Sequence, residues 1–183
     1  MMNDMTPVQT SLPNLRLIEP NPLRDAPITL SWFESKYGKE TLLLMGNAEH
    51  EIGTPSLKSE IQTLEEFVNL REKNEQLTWM IQTENKVIGV AWIELVENHS
   101  VQPPSVHLMI GNKEYRGQGI GKATMLALID YIKKNIETPT IYSRHLKHNV
   151  VVASMNRTLG FIDDGSSYID ENRLEWQNVK LAV

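Results

Sequence analysis

The chain has 183 residues, 40% of them hydrophobic, enough for one well-packed domain and too few for two large ones. A net charge of −5 argues against a general nucleic-acid binder, whose footprint is basic, and the absence of cysteine excludes disulfides and thiolate metal sites. The polar opening "MMNDMTPVQTSLPN" lacks the regions of a signal peptide, and no apolar run approaches the ~18 residues of a membrane span. The expectation is a cytoplasmic protein without membrane or nucleic-acid partners.

Residues 1–13 are polar and contain two prolines, which predicts a loose tail before a single domain over 14–183. "NLRLIEP" alternates like a first strand, and Pro20 and Pro22 end it. "DAPITLSWFESKYG" reads as a short helix with Asp25 as cap and Gly38 as stop. "GNAEHEIGTPSL" reads as a loop. Thr54 followed by Pro55 marks a second helix start, and Ile61, Leu64, Phe67, Val68 and Leu70 carry helical spacing to about Lys73. The acidic "EIQTLEEF" within it predicts a solvated face that could attract a cationic partner.

Strands follow. "QLTWMIQTE" and "KVIGVAWIELVE" flank a turn at Asn85, and "PSVHLMIG" comes after the Pro103-Pro104 break. A helix runs from about Gly119 to Asn135, then the strand "TIYSRHL", then a shorter helix in "NVVVASMNRTLG" that stops at Gly160. "FIDDGSSYID" and "RLEWQNVKL" read as a closing hairpin around Glu171-Asn172, whose strands could also pair between protomers of a homodimer. This order predicts an α/β fold, a mixed central sheet flanked by helices.

The stretch "EYRGQGIGKATM" places Gly117, Gly119 and Gly121 directly before the long helix. Helix N-termini present unpartnered N–H groups and partial positive charge, and glycine lets an anion approach the backbone. A phosphate cradle is the functional reading; a tight strand–helix turn is the plain one. The dinucleotide fingerprint G-x-G-x-x-G fails at Lys122. The P-loop pattern fails at Arg116, in its first glycine position, and at Ala123, where a magnesium-binding hydroxyl is needed.

The pattern [R/Q]-x-x-G-x-[G/A] fits throughout, as Arg116-Gly117-Gln118-Gly119-Ile120-Gly121. With the preceding strand, Asn149, and a helix closed by Gly160-Phe161, the sequence resembles the GCN5-related N-acetyltransferase (GNAT) superfamily in motif order over residues 77–165. The resemblance implies an acyl-CoA N-acyltransferase fold with two splayed parallel strands, "SVHLMIG" and "TIYSRHL", and acetyl-CoA as donor. It implies that Met109, Ile110 and Gly111 pair with the pantetheine arm. The amides of Gln118, Gly119, Ile120 and Gly121 would hold the pyrophosphate, with Arg116 and Lys122 adding charge. Asn149 would contact the cofactor beside the second strand. An amide at Ile110 or Gly111 could polarise the thioester carbonyl.

Many family members carry a tyrosine as general acid four residues before the closing glycine; here that position is Asn156. The thiolate could leave unprotonated, or Tyr142 or Tyr168 could serve. A regulatory CoA-binding module with little turnover is the alternative reading. His107 is the foremost candidate for the base that deprotonates the amine, against a structural histidine within the sheet. His145 is a second candidate and Glu94 a third, acting through water or standing as a solvated charge. The His145-x-x-His148 pair lacks a third ligand, so no metal site is expected. Trp32 and Phe33 read as core or as walls of the acceptor site. The acceptor is expected to be a primary amine: a small cationic amine, an aminoglycoside-like molecule or a protein N-terminus. Element order resembles the branch containing ribosomal-protein alanine acetyltransferases and aminoglycoside 6′-acetyltransferases.

Overall fold

A computed structural model describes residues 7–183. Its nine strands build one sheet: β1 (Val8–Gln9), β2 (Leu15–Ile18), β3 (Gln76–Thr83), β4 (Lys86–Glu94), β5 (Ser105–Ile110), β6 (Thr140–Leu146), β7 (Ile162–Asp163), β8 (Tyr168–Ile169) and β9 (Glu175–Ala182). The order across the sheet is β1-β2-β3-β4-β5-β6-β9-β7, with β8 pairing the outer side of β9. Every pairing is antiparallel except β5–β6. Helices α1 (Pro22–Glu34), α2 (Gly38–Leu44) and α3 (Leu57–Glu72) precede β3, α4 (Ile120–Asn135) follows β5, and α5 (Val150–Thr158) follows β6.

The sheet is buried on both faces. Against α4, the core joins Leu17, Trp79, Ile93, Val106 and Ile141 to Ala123, Leu128 and Ile132. Against α1 and α3, a smaller cluster joins Met80, Val90 and Met109 to Ala26, Trp32 and Leu64. Alternation along a strand divides β5 accordingly. Val106, Leu108 and Ile110 pack toward α4, while Met109 packs toward α1 with Trp92 of β4. Ser105 and His107 share the parity of Met109.

Several boundaries differ from the sequence expectation. Val8–Gln9 pair with Leu17 and Arg16, so the expected tail is part of the sheet from residue 8; residues 1–6 lie outside the described residues. α1 starts at Pro22, capped by Asn21, whose side chain accepts from Arg24 N at 2.9 Å. Asp25 is therefore inside the first turn, fully buried, where its carboxylate accepts from Asn21 N and from Arg24. Proline at the first helical position needs no N–H, which is why Pro22 begins the helix as well as ending the strand segment. Gly38 opens α2 rather than stopping the short helix expected before it. α3 is capped by Ser56, two residues beyond Thr54. Within α3, Glu60 is buried against α1, and loss of hydration raises its carboxyl above the usual range, so it is not part of a solvated face. No helix is long and apolar enough to cross a membrane among the described residues.

Candidate active site

β5 and β6 are the two neighbouring parallel strands, and they hold together at one end only. Their register has a single pair, Ser105 with Tyr142. Tyr142 N donates to Pro104 O at 2.9 Å, and Ser143 Oγ donates to Val106 O at 2.8 Å. Beyond that point β6 pairs only with β9, and the strands part. The carbonyls of Pro104 and Val106 both point toward β6, so by alternation the polar groups of Leu108 and Ile110 face the gap while those of Met109 face β4. Of the expected trio Met109, Ile110 and Gly111, the structure turns the Ile110 backbone to the gap, together with that of Leu108, while Met109 contributes its side chain to the opposite wall. The Ile110 carbonyl is occupied by Arg116, whose Nε and Nη2 donate to it at 3.0 and 2.8 Å. The Ile110 N–H has no hydrogen-bond partner among the described residues.

Gly111 ends the strand in a bulge, where Asn112 N donates to Ile88 O at 3.0 Å although Gly89 pairs with Ile110. A Cβ on Gly111 would lie 2.1 Å from Trp32 Cε3, so only glycine lets the indole of α1 lie on this turn. Trp32 is buried there as a wall, and Phe33 packs beside it.

Past the bulge the chain turns into α4. Gly117 and Gly119 have φ of +76° and +79°, a left-handed conformation that L side chains rarely adopt, and a Cβ at either would point into open space. Gly119 caps α4 without a side-chain bond, and Ala123 N is the first amide to reach back to it, at 3.0 Å. The amides from Gly117 to Lys122 have no backbone partner among the described residues. Unpartnered N–H groups at the positive end of a 16-residue helix form a site that fits a phosphate. Arg116 does not face this cradle. Its guanidinium lies inward, on Ile110 O and on Thr41 Oγ1 at 2.8 Å, and burial lowers its pKa. Lys122 is the side-chain cation within the loop sequence itself.

On the α1 face, β4 and β5 bring Trp92, Glu94, Ser105 and His107 together through the pairs Trp92–His107 and Glu94–Ser105. Ser105 Oγ lies 3.0 Å from Glu94 Oε2 and 2.9 Å from His107 Nε2, and His107 Nε2 is 3.4 Å from the same carboxylate oxygen. Glu94 Oε1 accepts from Asn98 Nδ2 at 3.0 Å and from Trp92 Nε1 at 3.4 Å. Burial raises the Glu94 carboxyl, but hydrogen bonding and charge from His107, with Asn98 and Ser105, outweigh it and hold the group at about 2. The Trp92 indole stacks on the imidazole with ring centres 5.3 Å apart. Glu94 is therefore a partnered carboxylate rather than a solvated edge charge. Asn98 and Ser105 are additions that no sequence signal marked, because their role depends on strand register.

His145 goes elsewhere. It is buried toward α5, where Asn156 Nδ2 lies 3.3 Å from its Nδ1, and burial lowers its pKa. Asn156 is 1% exposed and its Oδ1 has no partner among the described residues. Asn149 caps α5, accepting from Val152 N at 3.3 Å. Tyr168 Oη donates toward His99 O and Asn178 Oδ1, both at 3.4 Å, and Tyr142 stands at the root of the gap. No cluster of three or more potential metal ligands occurs among the described residues.

A family model described as "Acetyltransferase (GNAT) domain" matches residues 20–162. The chain belongs to the GNAT acetyltransferases and is an acetyl-CoA-dependent enzyme of that family. No curated protein sequence matches significantly. Among solved structures, the fold is similar to that of RimL, a ribosomal L7/L12 alpha-N-protein acetyltransferase in complex with coenzyme A, at a TM-score of 0.79 and 13% identity over 97% of this chain and 98% of that one. It is similar to the microcin C7 self-immunity acetyltransferase MccE in complex with acetyl-CoA and AMP, at a TM-score of 0.76 and 12% identity over 94% of each chain. Mycobacterium smegmatis RimJ in complex with CoA-disulfide aligns at a TM-score of 0.78 and 13% identity over 97% of this chain and 86% of that one. At these identities the likeness is one of fold.

Proposed function

We propose that the enzyme moves acetyl from acetyl-CoA to a primary amine by direct attack across the β5–β6 gap. The observation that carries this reading is the single Ser105–Tyr142 pairing, which leaves the Leu108 backbone and the Ile110 N–H without a strand partner beside the unpartnered amides of the Gly117–Lys122 turn among the described residues. Bound there, the donor supplies an activated acetyl thioester. The Gln118–Gly121 amides hold its pyrophosphate with Lys122 nearby. Leu108 pairs with its pantetheine arm, Asn149 borders it from the start of α5, and the Ile110 N–H polarises the thioester carbonyl. Arg116 fixes the end of β5 by holding the Ile110 carbonyl.

His107 takes the proton that the amine must lose before it can attack. It stands on the face lined by Trp32, Trp92 and Met109, which receives the acceptor. The amine at a polypeptide N-terminus is the first class to test, since RimL is by its description an enzyme of that kind. Small cationic amines and aminoglycosides follow. Calorimetric titration with acetyl-CoA, with ATP·Mg and NADH as controls, is followed by a panel of amines and N-terminal peptides. Micromolar donor binding, silent controls and turnover with one acceptor class are expected. Folded protein that ignores acetyl-CoA would overturn the assignment; tight donor binding with no turnover on any amine would leave a CoA-binding module.

A further inference from the structure

Glu94, Ser105 and His107 form a hydrogen-bonded chain whose direction follows from its donors and acceptors. An ionised carboxylate only accepts. Glu94 Oε2 therefore receives the single hydroxyl hydrogen of Ser105 at 3.0 Å. With that hydrogen spent, Ser105 Oγ meets His107 Nε2, 2.9 Å away, through a lone pair. Nε2 must then carry a hydrogen. In the neutral imidazole the other nitrogen, Nδ1, is left with its lone pair, and it has no hydrogen-bond partner among the described residues.

The elements of the chain are held from several sides. Asn98 and Trp92 engage the second carboxylate oxygen, so Glu94 cannot swing away without losing both. Trp92 lies against the imidazole with an angle of 22° between the rings. Ser105 is fully buried, and the Glu94 and His107 side chains are 12% and 13% exposed, which keeps water from substituting for the serine.

We infer that Glu94 and Ser105 are positioning residues that lock His107 in its Nε2–H tautomer, making Nδ1 the atom that takes the proton of the acceptor amine. This rests on the reading that the α1 face receives the amine. In the step, an N–H bond of the ammonium breaks and its electron pair stays on nitrogen. The proton moves to Nδ1, Nε2 keeps its hydrogen, and the resulting imidazolium is stabilised through Ser105 by the ionised Glu94. Glu94 thus acts through His107 rather than on the amine.

The test reads the tautomer directly, by long-range proton–nitrogen NMR of the histidine side chains in ligand-free protein, well above the ordinary histidine pKa of about 6.5. Wild type is expected to show a bare Nδ1 and a protonated Nε2 at His107. Glu94→Gln and Ser105→Ala are each expected to give mixed tautomers and to lower kcat about 10- to 100-fold, with the acetyl-CoA KM within about twofold of wild type. Ser105→Thr, which keeps the hydroxyl, is expected to restore both the tautomer and most of the turnover. A protonated Nδ1 in wild type, or an unchanged tautomer in both disruptive variants, overturns the inference. The expected tautomer in an enzyme that acetylates no amine overturns the proton-accepting role of Nδ1 together with the acetyl-transfer reading, so the two failures are distinct.

Discussion

His107 and His145 stand on the two strands that border the gap, yet they face opposite sides of the sheet. His107 stacks on Trp92 and reaches an ionised carboxylate through a serine. His145 is buried beside the neutral amide of Asn156, and burial pushes its pKa down. The same imidazole thus lies beside an ionised carboxylate and a serine on one face and beside a neutral amide, with burial disfavouring its charged form, on the other. What separates them is strand parity together with the polarity of the neighbouring side chain, not residue type. The α1 face collects partnered charge suited to an amine. The α4–α5 side, with its amide cradle, suits a phosphorylated donor.

The broadest way to break this division is to disable the donor side alone. Gly119→Glu forces a side chain into the φ +79° turn and sets a carboxylate among the unpartnered amides. Acetyl-CoA affinity is expected to fall more than about 100-fold in calorimetry, with circular dichroism unchanged. Retained affinity would show that the cradle does not hold the donor. A sharper test compares the histidines. His107→Ala is expected to lower kcat about 100- to 1,000-fold while donor affinity stays within about threefold, and His145→Ala to lower kcat less than about tenfold. The reverse ranking in steady-state kinetics would exchange the two faces.

A separate test concerns stability. Glu94 is held at about 2 against an ordinary value of 4.5, so its ionised form stabilises the fold fully above pH 4.5, by roughly 3 kcal/mol. That stabilisation is lost progressively as pH falls from 4.5 through about 2. Urea unfolding of wild type should therefore weaken over this window, and Glu94→Gln should flatten that part of the profile. An identical slope in the variant would mean that the carboxylate is not partnered in the folded protein.

Local signals in the chain were enough for much of this architecture. The Asn85 turn between β3 and β4 was legible because residues 84 and 85 both need positive φ in a tight hairpin. The glycine-rich turn before α4 was legible because left-handed turns depend on residues a few positions apart. α2 was not legible: seven residues carry too few turns for a periodic apolar face, and Gly38 resembles a stop. The cap was placed four residues late, at Asp25, because asparagine and aspartate both fit a cap; here Asn21 Oδ1 accepts from Arg24 N while Asn21 N donates to the Asp25 carboxylate. Arg116 read as a phosphate ligand until tertiary packing put Thr41 and the Ile110 carbonyl within its reach.

By itself, then, the amino-acid sequence determined most of the order of elements, the glycine-rich turn before α4 and the family to which the chain belongs, because each is written in short-range patterns of glycine, caps and apolar spacing. Tertiary structure alone decided the site's chemistry. "SVHLMI" and "TIYSRHL" lie in strands covered on both faces, where burial imposes little polar–apolar alternation, so neither segment reveals which way its histidine points. The partnership of Glu94 with Ser105 and His107 exists only because β4–β5 register sets residues 11 to 13 positions apart side by side. Register is a property of the paired sheet, and no window of sequence contains it.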